Sequence, residues 1–113
     1  MRVLNKNSNM LLADEVIIAN TFMTRLKGLM FKRSLVEGNV LMIKPCNSIH
    51  TFFMKFPIDI IFLSKGNVVI HVIENMIPGK ISPFVKGAIS VLELQSGIIR
   101  KTETKKGDLL EIL

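Results

Sequence analysis

The sequence predicts a mainly β protein: a small, single-domain, β-barrel-like fold of short strands over residues 1–113, with one short helix at about residues 21–28. Apolar residues alternate with a period of two along most of the chain. Short apolar runs are cut by turn residues at intervals of roughly 8 to 12, the rhythm of sandwiches and barrels. One segment breaks that rhythm with helical spacing. A chain of 113 residues buries one core well but cannot build two. With 49% hydrophobic and 21% charged residues, it falls among packed domains rather than disordered chains.

The first strands are expected in RVLNK and MLLADEVIIA, joined through the turn-rich KNSN. In NTFMTRLKGLM, Asn20 or Thr21 can cap a helix and Gly28 can close it in a left-handed conformation. Phe22 and Leu26 then share one face as a buried stripe. Arg25 flanks that stripe, its stem covering core atoms and its guanidinium reaching for a polar group at the edge. NVLMI is the next strand. IDIIFLSKGNVVIHVI is the clearest hairpin, with Gly66 expected to supply the positive φ at its turn. ENMIPGKISPF, with two prolines and a glycine, reads as a loop of the kind that borders sites on rigid β scaffolds. VKGAISVLEL and DLLEIL supply the last strands, the latter after a turn at Lys106–Gly107.

Several functional classes lose support at this level. The net charge of +6 suits a nucleic-acid partner, but the basic residues are scattered, and no Trp or Tyr is present to stack on bases. No recognised DNA- or RNA-binding pattern occurs, so a solvated basic surface is expected instead. There is no 18-residue apolar stretch and no leader-like apolar segment in MRVLNKNSNM. With its single cysteine, the chain is expected to be soluble and cytoplasmic, without a membrane partner, as a monomer or weak homodimer.

The polar residues of PCNSIHTFFMKFPID are the candidates for a site. Cys46 and His50 would form a nucleophile and base for a cysteine-dependent hydrolase or transferase if they met within hydrogen-bond reach. On a regular strand they stand about 13 Å apart, so the pair needs a tight turn at Asn47–Ser48. A metal site composed of His50, Asp59 and His71 lacks the ligand spacing of zinc centres, and neither metal nor cofactor is expected. Asp59 lies in FPIDIIFL, where both strand faces are apolar, so its carboxylate must be answered by buried donors. Arg25, His50, Thr51 and backbone amides are the candidates, with an Arg25–Asp59 pair fixing the helix on the sheet as the structural solution. The functional solution is a concave pocket whose polar floor is Arg25, His50, Thr51 and Asp59, ringed by phenylalanines and Met54. Glu93 in SVLELQSG is expected to face outward or to pair with a lysine, and the seven methionines to fill the core.

Taken together, TRLKGLMFKRSL, PCNSIHTFFMKFPIDIIFLSKGNVV, VLELQSG and KKGDLL resemble, in order and spacing, a widespread prokaryotic family catalogued as domain of unknown function 192. The matching positions are Arg25, Gly28, Leu29 and Met30; Pro57 and Asp59; Glu93 and Gly97; and Gly107 and Asp108. The resemblance implies a compact β-barrel-like domain with a short helix and no established activity. Many members carry tryptophan where this chain has His50, which implies that this position is not a general base throughout the family. The leading expectation is therefore a module binding a small ligand or peptide. The alternatives are the Cys46/His50 enzyme and a non-catalytic structural or interaction protein that pairs through an exposed strand edge.

Overall fold

A computed structural model describes residues 1–30 and 32–113. The elements in chain order are β1 (Val3–Asn5), β2 (Met10–Ala13), β3 (Glu15–Ala19), α1 (Phe22–Lys27), β4 (Asn39–Ile43), β5 (Ile58–Leu63), β6 (Val69–Met76), β7 (Ser90–Gln95), α2 (Ile98–Lys101) and β8 (Leu110–Ile112). They form two sheets rather than a closed barrel. The larger has the order β3-β4-β7-β5-β6 and the smaller β2-β1-β8. The expectation of a mainly β fold is met, and its barrel-like part only loosely. Period-two patterning fixes which residues point inward, and a sheet closed on itself and two packed sheets share that alternation.

β5 explains the layering. All six of its residues are buried, as expected of a strand covered on both faces. It lies between β7 and β6, pairing antiparallel with both. Ile61, Leu63, Leu92, Leu94 and Met42 turn to one face and pack against Val3, Leu12 and Leu110 of the smaller sheet, with Ile99 of α2. Ile58, Ile60, Phe62, Val91, Leu41 and Ile43 turn to the other, under Leu29, Leu35, Ile49 and Met54. Each such side chain taken from water contributes roughly 1.5–3 kcal/mol before conformational entropy is subtracted. These two layers supply most of the force that holds the fold.

The expected helix forms over Phe22–Lys27 by a reciprocal cap. The Thr24 amide donates to Thr21 Oγ1 at 3.1 Å and the Thr21 amide to Thr24 Oγ1 at 3.0 Å. Its predicted buried stripe does not form: Phe22 and Leu26 are 70% and 51% exposed, and no residue of α1 is buried. What enters the core is Leu29, just past the helix. At the β5–β6 turn the positive φ belongs to Asn67 (φ 63) rather than Gly66. Asparagine tolerates that region, and Asn67 and Val68 donate to the Ser64 carbonyl and hydroxyl. α2 has no counterpart in the sequence reading, because four residues carry no helical period. Of the methionines, Met42, Met54 and Met76 are core residues, whereas Met1 and Met23 are exposed. Among the described residues no helix is long and apolar enough to cross a membrane.

Candidate functional site

A cavity of about 300 Å³ opens on the α1 face of the larger sheet. Its roof comes from α1 and the residues that close it, its side from residues 45–50 and Met54, and its floor from Ile43 of β4 and Glu93 of β7. Glu93 is the residue that sequence reasoning misplaced. It shares a face with Val91, and its register partners Leu41 and Ile60 are core residues, so it is buried rather than outward. Its Oε2 has no hydrogen-bond partner among the described residues. Burial without compensating donors pushes its carboxyl up to about 8, since removal from water penalises the charged form. Gly28 closes over it with φ +47, where a Cβ would stand 3.5 Å from Glu93 Oε1. That distance is ordinary van der Waals contact, so it is the positive φ rather than the approach to the acid that suits glycine at this position.

Three of the sequence-predicted residues, Arg25, Cys46 and His50, line the same cavity. Arg25 Nε donates to the Thr21 carbonyl and Nη1 to the Pro45 carbonyl, both at 3.3 Å. These contacts tether α1 to the segment opposite, and no carboxylate among the described residues pairs with the guanidinium. Cys46 is half-buried. Its amide donates to the Ile89 carbonyl at 2.9 Å and its thiol to the Ser48 carbonyl at 3.1 Å. Burial pushes the thiol above its ordinary value, the Glu93 charge adds to that, and Arg25 partly offsets it. His50 Nδ1 accepts from the Phe52 amide at 3.2 Å, and its ring stacks on Phe52 with centroids 5.3 Å apart. Thiol and imidazole are thus engaged by different groups, and no hydrogen bond joins them among the described residues.

Thr51 and Asp59 do not belong to the cavity. Thr51 is fully buried, donating its hydroxyl to the Ile77 carbonyl at 2.7 Å and accepting from the Lys80 amide at 2.9 Å. It clamps the 44–56 segment to the loop after β6. Asp59 lies on the opposite face of the sheet, and the expected Arg25–Asp59 pair is corrected. Its Oδ1 accepts from the Asn75 amide at 2.8 Å, and its Oδ2 from the Gly97 and Ile99 amides at 3.0 and 2.9 Å. Gly97 cannot cap α2 with a side chain of its own, so Asp59 satisfies those orphan donors from a neighbouring strand. His71 of β6 packs against Phe62 of β5. Among the described residues no group of three or more His, Cys, Asp or Glu is placed to hold a metal ion. The signal that would have found Glu93 is the one that found Asp59: a single acid in a strand apolar on both faces.

Solved structures share the architecture. A protein of unknown function from Novosphingobium aromaticivorans superposes with a TM-score of 0.86 over 99% of this chain and 84% of its own, at 23% identity. A "putative transcription regulator" from Sinorhizobium meliloti gives a TM-score of 0.79 over 97% of this chain and 89% of its own, also at 23% identity. At that identity the likeness concerns the fold. In sequence, the UPF0127 protein TK1120 of Thermococcus kodakarensis is 28% identical over 112 residues, covering 96% of this chain and 71% of the relative. The family model DUF192, described as "Uncharacterized ACR, COG1430", matches residues 3–112, and the chain belongs to that family.

Proposed function

We propose that the chain is a binding module for a small organic molecule seated in the Glu93 cavity. The observation that carries this reading is an acid at the floor of a partly apolar cavity with no partner for Oε2 among the described residues. A buried polar group without a partner costs roughly 1–3 kcal/mol, and a ligand that supplies the missing hydrogen bond recovers it. The volume is at the small end of the range for small-molecule sites. Leu29, Ile43, Ile49 and Met54 offer apolar walls, and Arg25 a cationic rim. Binding without catalysis is favoured because the Cys46 thiol is pushed away from its reactive thiolate form and, among the described residues, it donates to a backbone carbonyl rather than to a base. A DNA-binding role, suggested by the description of the Sinorhizobium protein, has less support. α1 spans six residues and exposes Phe22, Met23 and Leu26, a poor match to a recognition helix in a charged groove.

The test is a fragment screen by protein-observed NMR on the full chain and on Leu29→Trp, which fills the cavity. The reading predicts fragment-induced shifts at Gly28, Cys46 and Glu93 that vanish in the variant. Shifts that persist in a folded Leu29→Trp protein, or that cluster on another surface, would refute it.

A further inference from the structure

Arg25 and Glu93 line one cavity without being paired, although each lacks a counter-charge among the described residues. Arg25 has five N–H donors, and its two contacts are to carbonyls at 3.3 Å, which leaves it donors for an anion. Glu93 offers a carboxyl with no donor at Oε2. Leu29, Ile43, Ile49 and Met54 add aliphatic surface to the same cavity. We propose that the ligand is a small zwitterion of the α-amino-acid type, with its ammonium on Glu93, its carboxylate on Arg25 and an apolar side chain against the aliphatic walls. This inference rests on the cavity being a ligand site and specifies what that site selects.

The chemistry follows from what each end lacks. A carboxyl buried without donors keeps its proton, and an ammonium supplies both the hydrogen bonds and the charge that make the ionised form affordable. Guanidinium and carboxylate match as a bidentate fork. The other titratable or charged groups on the cavity are Lys27 of α1, and Cys46 and His50 of the facing segment. β4 contributes only Ile43, so no second acid competes for the ammonium. Because burial holds Glu93 largely protonated at neutral pH, binding the ammonium expels that proton. Affinity should then rise with pH, approaching tenfold per unit below about 8 and levelling off above. A ligand that instead accepted a hydrogen bond from the neutral acid would bind with no pH dependence well below about 8 and more weakly above it.

The experiment follows amide resonances of the full chain during titration with L-leucine, N-acetyl-L-leucine, L-leucinamide and 4-methylpentanoate between pH 6 and 8. Leucine should bind at Gly28, Leu29 and Cys46, and blocking or removing either charged end should weaken binding by about tenfold or more, the scale of one charged hydrogen bond. Glu93→Gln should lose both leucine affinity and its pH slope, and Arg25→Ala should lose discrimination between leucine and leucinamide. The pH slope of the unmodified protein remains decisive if a variant folds poorly. Equal binding of 4-methylpentanoate and leucine, or leucine affinity that stays flat or falls between pH 6 and 8, overturns the zwitterion while leaving the pocket. So does a set of fragments that bind there when leucine does not. If neither fragments nor any of the four probes shift those resonances, pocket and zwitterion fall together.

Discussion

Asp59 and Glu93 are both buried acids on adjacent strands, one register position apart: Ile60 pairs with Glu93, and Asp59 with Leu94. Alternation sends them to opposite faces of the same sheet. Asp59 receives three backbone amides and holds β5, β6 and α2 together. Glu93 has no partner for Oε2 among the described residues and faces a cavity. Burial alone therefore does not separate a structural acid from one available to a ligand. The supply of donors does, because an acid whose lone pairs are filled has nothing left to offer.

The contrast can be broken first at Asp59. Asp59→Ala leaves three amide donors unanswered, each costing roughly 1–3 kcal/mol, so urea unfolding should show a loss of about 4–5 kcal/mol. A loss below about 1 kcal/mol would mean that the amides find other partners. Next in size is the pH response of Glu93. Its carboxyl is raised in the folded state, so the fold keeps a proton that the unfolded chain has already released. The unmodified protein should lose stability as pH rises from the unfolded value near 4.3 toward about 8. Glu93→Gln should lack that loss. Relative to the variant, the folding constant should fall by about a hundredfold between pH 5 and 7, and parallel stability profiles would contradict the unsatisfied acid.

Smaller effects sharpen the comparison at the cavity's edge. Gly28→Ala forces a side chain into φ +47 beside the Glu93 carboxyl and should cost about 1–2 kcal/mol. The loss should appear in thermal melts, with the three amides on Asp59 unchanged by hydrogen exchange. The smallest effect is expected from His50→Ala, which should leave the reactivity of Cys46 toward a thiol reagent unchanged within about twofold, because burial rather than the imidazole controls the thiol. A large drop in reactivity would restore the imidazole as its base.

Most strands, a helix cap at Asn20 or Thr21 and the burial of Asp59 were legible in the sequence because they follow from local pattern: period two, a capping side chain before an apolar pair, and one acid between apolar faces; MLLADEVIIA, read as a single run, divides into β2 and β3 of different sheets. The partners of Asp59 were not, since the amides of Gly97 and Ile99 lie some forty residues away and carry no side-chain signature. The exposure of Phe22 and Leu26 was missed for a related reason. An apolar pair at helical spacing signals a stripe, but a six-residue helix can lie on a sheet through the residue after it. Of the candidate site residues, Arg25, Cys46 and His50 line one cavity, whereas Asp59 was drawn in because its buried carboxylate needed donors and Thr51 as one of those donors, and Glu93 was set aside although it met the criterion applied to Asp59.

β3 and β4 pair in parallel, Glu15 opposite Asn39 through Ala19 opposite Ile43. Parallel neighbours cannot be joined by a tight turn, so the chain between Ala19 and Asn39 has to cross over the sheet, and the crossover carries α1. Among the described residues it is anchored by Leu29 and Leu35 in the core, by the Gln95 side chain donating to the Leu35 carbonyl at 2.9 Å, by Arg25 donating to the Pro45 carbonyl, and by the Gly38 carbonyl, which accepts from the Asp14 and Glu15 amides. The roof of the cavity is therefore carried by one strap, separate from the strand that holds Glu93. A different strap between the same two strands, with an apolar residue at each core anchor, would leave the sheet and its acid in place while changing what the opening admits. Swapping this segment among relatives should reshape the opening of the cavity without redesigning a core.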